Sequence, residues 1–456
     1  MKFFYYIGIG FVKLIKAILP KQLFLIFKNN SRFLTLYKMM TRTVGLSGSL
    51  IPWRKQKSTY ASQLKKQSKE LTSLDQTSSE LGILVFPGIN SKLTKTLVSL
   101  SKQSVKPTKV ILVDIELPKK LAELNLSYAL LKTSSRTELK QALENMPYLL
   151  INAGDTLTQG HELNKFMMAV KSDAQFVYSD TDYYNNSGER LEPQYKPNWS
   201  PDYQLSAGYI NTGVMVSSGK QAKMLINLNK ESYNITSMIR AFYLSKLNQT
   251  NLDYKVDHVP SVLISQPQKQ RGVLHNIKNE SKLFDVKQSS NGAHLLWDSS
   301  SLPLVSLIIP TKNGKDLVRM CVESIVEKTT YTNYEILLVD NNSDDVEAIE
   351  YFKDLDKNGV VKLLSYPHEF NYSAINNFAA KQAKGEIIGL VNNDIEVIQG
   401  MWLEYMVGHA LRTDVGVVGA KLLYPNNTLQ HAGVVMGYGG GQVMPTNTLI
   451  NPTLVI

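Results

Sequence analysis

A single cysteine, Cys321, occurs in the 456 residues, so the chain can form no internal disulfide and no thiolate cluster for zinc or iron–sulfur. That scarcity fits a reducing compartment. Nowhere does the sequence reach the ~20 uncharged apolar residues of a spanning helix, because Lys2, Lys13, Lys16 and Lys21 interrupt the apolar start. Lys13 and Lys16 follow the apolar core with no A-x-A site beyond, which speaks against a secretory signal. There is no G-x-x-x-x-G-K-[ST] and no H-E-x-x-H, and Thr311 to Asp316 reads TKNGKD where a dinucleotide fingerprint would need its glycines. Nucleotide hydrolysis on a P-loop, zinc proteolysis and hydride transfer are thereby set aside.

Acidic residues are nearly missing from the first 80 positions, which hold 14 Lys/Arg against Glu70, Asp75 and Glu80. The remaining residues carry 36 of each sign, so the whole excess of +11 belongs to this arm and the body is neutral. Phe11, Leu14, Ile15 and Ile18 fall on one helical face and Lys13 and Lys16 on another, the pattern of a helix lying in a membrane interface, with Pro20 ending it. The reading is a basic amphipathic arm over 1–80, attached to an anionic membrane surface at the inner face of the cell membrane, in a protein that is otherwise cytoplasmic. No basic and aromatic interleaving occurs in the body, so nucleic acid is not a predicted partner.

With 43% hydrophobic residues and 20% charged, the rest has the composition of ordinary globular domains. From about residue 81, short β-branched runs alternate with helical stretches, which predicts parallel α/β sheets covered on both faces. The alternation occurs twice. The first series holds LGILVFP at 81–87, KVILVD at 109–114, strands near 148–152 and 174–178, and then a polar stretch from Ser179 to Asp202. The second holds VSLIIP at 305–310, YEILLVD at 334–340, a strand near 360–366 and EIIGLV at 386–391, with helices around 315–327, 372–384 and 401–411. This order predicts an internal duplication, with domains at 81–266 and 304–456 and a polar linker at 267–303.

In open α/β sheets ligands settle outside the carboxyl ends of the strands. In the second series those ends offer Pro310-Thr311-Lys312-Asn313, Asp340-Asn341-Asn342-Ser343-Asp344, Asn371 to Asn377, and Asn392-Asn393-Asp394. A carboxylate at a strand end can accept the imide N–H of a pyrimidine base. Another can hold a divalent cation whose remaining ligands are diphosphate oxygens and water. Asp340 and Asp394 suit these two tasks, although D-N-N-S and N-N-D are also ordinary turn sequences.

The combined order of IIPTKN, EILLVDNNSDD, NYSAINNFAAKQAKG and GLVNNDIEV resembles the inverting family 2 glycosyltransferases of GT-A fold, over roughly residues 304–440. The likeness is greatest to the bacterial, rhamnosyltransferase-like branch that builds O-antigen, capsule and other surface polysaccharides. It implies tandem nucleotide-diphospho-sugar transferase (Rossmann-like) domains. It further implies a nucleotide-sugar donor, a lipid-linked or polysaccharide acceptor, and Mg2+ or Mn2+ as cofactor. By the resemblance Asp340 contacts the nucleobase with Asn341 beside it, and Pro310, Thr311 and Asn313 border the nucleoside. Asn377 takes the place of the asparagine in N-x-G, with Ala379 in place of the glycine. Asn392, Asn393 and Asp394 stand at the D-x-D metal motif, where Asp394 is the certain carboxylate.

The first series resembles a second such domain through YSDTDYYNNSGERLEPQYKPNWSPDYQL, but Pro87-Gly88-Ile89-Asn90, Asp114-Ile115-Glu116 and Asn152-Ala153-Gly154-Asp155 depart from the working motifs. Asp155, Asp180 and Asp182 are its candidate metal or sugar contacts, the last two within a stretch that also reads as surface loop. Past Gln430-His431-Ala432-Gly433 the resemblance fades. The acidic general base is absent from the final residues, so the second domain reads as C-terminally truncated, its activity open. The competing reading is a non-catalytic, membrane-associated scaffold in a polysaccharide assembly complex.

Overall fold

A computed structural model describes residues 53–75, 80–117, 126–170, 173–229, 232–247, 254–267, 283–289, 292–431, 435–436 and 442–443. The amphipathic segment predicted at the N-terminus and the final residues of the second series lie outside them. The chain divides into two compact units that interleave in sequence: 1–196, 212–222 and 256–269 form the first, and 197–211, 223–255 and 270–456 the second.

The chain runs through α1 (Trp53–Thr72), β1 (Gly82–Phe86), α2 (Leu93–Ser101), β2 (Lys109–Val113), β3 (Ala129–Thr133), α3 (Arg136–Ala142) and β4 (Tyr148–Asn152). It continues with α4 (Glu162–Ala169), β5 (Ala174–Tyr184), β6 (Arg190–Gln194), α5 (Pro201–Ala207), β7 (Val214–Val216), α6 (Gly219–Leu228), α7 (Ile235–Leu247) and β8 (Lys255–Pro267). The first unit's sheet has the order β3-β2-β1-β4-β7-β5-β6, with β8 paired to β5. Strands β1 to β4 are parallel and β7 is antiparallel to both β4 and β5, so β4 and β5 present their carboxyl ends on one edge. GILVF of β1 and VILV of β2 are buried at every position, with Ile83, Val85, Val110 and Leu112 packed against Leu97 and Leu100 of α2 and Leu163 and Phe166 of α4.

The second unit adds β9 (Phe284–Ser289), β10 (Gly292–Trp297), β11 (Val305–Thr311), α8 (Lys315–Lys328), β12 (Tyr334–Asp340), α9 (Val346–Lys357), β13 (Lys362–Ser365), α10 (Tyr372–Ala380), β14 (Ile387–Leu390) and α11 (Trp402–Ala410). Its parallel sheet runs β13-β12-β11-β14, the same third-second-first-fourth order as in the first unit. Alternation sorts its side chains into two layers. Leu307, Ile309, Ile336 and Leu338 face Val318, Cys321 and Ile325 of α8, Phe352 of α9 and Leu403 and Val407 of α11. Ile308, Leu337 and Val339 face Ile375 and Ala379 of α10.

Two segments differ from the sequence reading. Inside the predicted linker, β9 and β10 form an antiparallel ladder from Phe284↔Trp297 to Ser289↔Gly292. Phe284 and Trp297 close a small core with Leu205 of α5 and Tyr243 of α7, which draws α5 and α7 into the second unit. The period-two pattern of Phe284 and Val286, then of Leu295 and Trp297, is too short to stand out among polar neighbours. The predicted arm also ends early: Leu71 of α1 is 2% exposed in the first unit's core, because Tyr60, Leu64, Gln67 and Leu71 recur at helical spacing.

Candidate functional site

In the second unit the strand order reverses between β11 and β14, which is where an open parallel sheet leaves a crevice at its carboxyl edge. Thr311 ends β11 directly opposite Asp340, the last residue of β12. The paired part of β14 ends at Leu390 opposite Ile308, and Val391 N still donates to Ile308 O at 2.9 Å, which carries Asn392 to Asp394 out past the edge. Across the crevice Asn393 Nδ2 donates to Thr311 Oγ1 at 3.0 Å. Asp340 and Asp394 therefore leave the same edge of the sheet, on strands two positions apart, or roughly 10 Å.

Each loop at this edge is fastened by short polar residues. Asp340 Oδ1 accepts from Ser343 N at 3.0 Å and from Ser343 Oγ at 2.5 Å, which tightens the D-N-N-S turn and leaves the second carboxylate oxygen for another partner. Asn313 adopts φ +55°, which asparagine tolerates better than most residues. Its Oδ1 accepts from the N–H groups of Asp344 and Asp345, both at 3.0 Å, and its Nδ2 donates to Asp344 Oδ1 at 2.7 Å. That bond from Asn313 holds the Asp344 carboxyl below its ordinary range. Asn341 is buried and donates to Tyr366 O at 3.0 Å and His368 O at 2.8 Å, pinning the loop after β13.

The site residues named from sequence thus fall into two groups. Asp340 and Asp394 stand at the open carboxyl edge, with Asn392 and Asp394 exposed, while Thr311 is 4% exposed, donates to Asn313 O at 3.1 Å and accepts from Asn393. The side chains of Asn313 and Asn341 are committed to holding loops, while Pro310 pairs opposite Val339 within the sheet. Asn377 is exposed on α10, whose N-terminus Asn371 caps by accepting from Ala374 N at 3.0 Å. The D-N-N-S stretch does form the turn its sequence suggests, with Ser343 closing it on Asp340.

Among the described residues no group of three or more His, Cys, Asp and Glu could hold a metal ion. The donor set at the crevice fits a cation shared with a diphosphate, for which one carboxylate, that of Asp394, is enough. Cys321 supplies no nucleophile: it is buried with Sγ 3.6 Å from Asn392 O, and burial pushes its thiol up to about 12.

The equivalent edge of the first unit is built differently. Asp155, Asp180 and Asp182 are 2%, 3% and 0% exposed, and β5 extends through Tyr184, so the stretch that read as a surface loop is buried strand. The alternation A-Q-F-V-Y-S-D-T-D-Y-Y hides this because both faces of the strand are covered. Every carboxylate there has internal partners. Asp155 accepts from Asn152 N at 2.9 Å and from Thr212 Oγ1 at 2.5 Å, and burial raises it to about 6. Asp180 Oδ1 lies 2.8 Å from His258 Nε2 and accepts from Lys196 N at 2.8 Å. The Lys196 ammonium donates to Ser179 O at 2.7 Å; burial lowers it to about 8, against the pull of Asp180 and Asp155. Asp182 Oδ2 accepts from Arg190 Nε at 2.6 Å and from Tyr60 Oη at 2.5 Å.

Residues 306–443 match the family described as glycosyl transferase family 2. The chain is 33% identical over 291 residues to the uncharacterized protein y4gI of Sinorhizobium fredii, covering 59% of this chain and 32% of that one. To the O-antigen biosynthesis protein RfbC of Myxococcus xanthus it is 30% identical over 308 residues, 64% of this chain and 24% of that one. These likenesses span more than the family match, and the chain covers only about a third and a quarter of those relatives. A shorter likeness, 27% over 124 residues, links it to the Escherichia coli UDP-Glc:alpha-D-GlcNAc-diphosphoundecaprenol beta-1,3-glucosyltransferase WfgD, covering 27% of this chain and 47% of that one. The residues that match glycosyl transferase family 2 are those of the second unit's parallel sheet and its carboxyl-edge loops.

Proposed function

We propose that the second unit binds a nucleoside-diphosphate sugar across the carboxyl ends of β12, β11 and β14. It passes the sugar, with inversion at the anomeric carbon, to a hydroxyl of a growing cell-surface polysaccharide. The observation that carries this reading is the shared edge: Asp340 ends β12 and Asp394 follows β14 at the same end of one parallel sheet, with Thr311 and Asn393 bonded between them. The free oxygen of Asp340 grips the base through an N–H, and Thr311 and the turn at Asn313 border the nucleoside. Asp394, with Asn392 as a neutral oxygen donor, holds the diphosphate end through Mg2+ or Mn2+. The cation, when bound, neutralises charge on the departing nucleoside diphosphate. The names of RfbC and WfgD favour an O-antigen-type product and a lipid-linked acceptor.

The test is donor turnover by the full chain. Release of nucleoside diphosphate from a sugar nucleotide with Mn2+, lost in Asp394→Ala while the melting temperature holds, is the expected result. Donor-independent behaviour throughout, with no nucleotide shifting the melt, would assign the chain to the scaffold role instead.

A further inference from the structure

Helix α1 touches its unit with one face. Tyr60 donates to Asp182, Gln159 Nε2 donates to Leu64 O at 3.3 Å, and Gln67 both donates to Val262 O at 2.8 Å and accepts from Val262 N at 3.2 Å. With Leu71 these positions share an arc of about 60° on a helix of 3.6 residues per turn. Lys65, Lys66 and Lys69 fall on the opposite side and are exposed. Lys66 lies 3.8 Å from Glu70, a surface pair that leaves most of its charge to solvent.

The same sign continues along the sequence. Arg54, Lys55 and Lys57 open the helix, and residues 1–52 contain 8 Lys/Arg and no Asp or Glu. We propose that the lysine face of α1 is a docking surface for an anionic lipid leaflet, so that the first unit itself, and not only the segment before it, is held against the membrane. Two observations select lipid over another polyanion. The residues before α1, MKFFYYIGIGFVKLIKAIL, mix aromatic and aliphatic side chains with lysines as interfacial segments do. The face formed by Lys65, Lys66 and Lys69 carries no aromatic side chain on which a base could stack. Because the other face of α1 is spent on Asp182, Val262 and the core, this surface adheres by charge alone, and its binding falls steeply with salt.

The proposal rests on the membrane-facing part of the function above and is independent of donor binding. The experiment is sedimentation of the full chain with vesicles of phosphatidylcholine, with and without phosphatidylglycerol, at low and high salt. The comparison is the triple variant Lys65→Gln, Lys66→Gln, Lys69→Gln. Loss of three such charges should weaken binding to the anionic vesicles about 100-fold, with the melt and its nucleotide-dependent shift unchanged. Equal binding by variant and wild type would overturn the role of α1 while leaving membrane attachment through residues 1–52 intact. Failure of the wild type to bind anionic vesicles would overturn both. A short RNA that binds more tightly than the vesicles and is lost in the same variant would assign the face to nucleic acid and refute the proposal.

Discussion

Asp340→Asn separates the two tasks of one carboxylate. In the folded protein Asp340 Oδ1 accepts both bonds from Ser343, and an asparagine oxygen can accept the same two, so the turn survives. The other oxygen becomes an NH2 group, which donates where the carboxylate accepted. Against the imide N–H of uracil this removes a hydrogen bond to a charged group, worth about 1.5–3 kcal/mol, which corresponds to roughly 10- to 150-fold weaker binding. Cytosine presents an acceptor at the same ring position, so the amide suits it where the carboxylate repels it. Calorimetric titration of uridine and cytidine diphosphates with Mn2+ should therefore show wild type favouring uridine and the variant losing or reversing that preference. Stability read from urea denaturation should fall by no more than about 2 kcal/mol, since both bonds from Ser343 pass from a charged to a neutral acceptor. Unchanged uridine diphosphate affinity in the variant would refute the assignment of Asp340 to the base.

Asp155→Asn probes the first unit. The folded carboxyl stands at about 6 against an ordinary 3.8, so between these pH values the folded state keeps a proton that the unfolded chain has lost. Stability must then fall as pH rises through that window and stay lower above it, by about 3 kcal/mol in all. The asparagine retains an acceptor for Thr212 and Asn152 N but cannot titrate, so denaturant midpoints measured from pH 4 to 7 should lose this slope. In the second unit Arg412 donates to Asp202 Oδ1 at 2.6 Å, to Asp414 Oδ2 at 2.7 Å and to Tyr243 Oη at 2.7 Å, and stacks 4.1 Å from the Trp297 ring centroid. Arg412→Met should cost about 3 kcal/mol by leaving two partly buried carboxylates without their cation, read as a lowered urea midpoint; a loss below about 1 kcal/mol would reduce the cluster to an ordinary surface network.

Legibility in the sequence followed how far each signal reached along the chain. The parallel strands were visible because burial on both faces writes them as unbroken apolar runs such as GILVF and ILLV, and the duplicated order of strands and helices carried over into two sheets of matching topology. The hairpin at 284–297 was hidden: only two or three apolar residues per strand point inward, and their partners Leu205 and Tyr243 are far away in sequence. The burial of Asp180 and Asp182 was hidden for a related reason. An aspartate reads as exposed unless its partners are known, and those come from Arg190, Lys196 and His258, at separations no local pattern encodes. At the crevice, residue types were legible but their duties were not. Asn313 and Asn341 look like ligand-binding amides, and only the geometry shows their hydrogen-bonding groups consumed by neighbouring loops.

The contrast between the two sheet edges locates the chemistry. Both units bring acidic residues to the carboxyl ends of strands, the position where a fold of this kind offers ligands a crevice. In the first unit a lysine, an arginine, a histidine and a tyrosine of the chain itself close on Asp180 and Asp182, and Asp155 is desolvated far enough to sit at about 6. An incoming cation would have to displace partners that cost little to keep and much to lose, because each sits in a site with almost no water. In the second unit the loop-fastening is done by neutral amides and a serine hydroxyl, and among the described residues no cation is bonded to Asp340 or Asp394. The edge whose charge the described residues leave unanswered is the one open to a ligand, which is why the proposed donor site is the second unit's and not the first's.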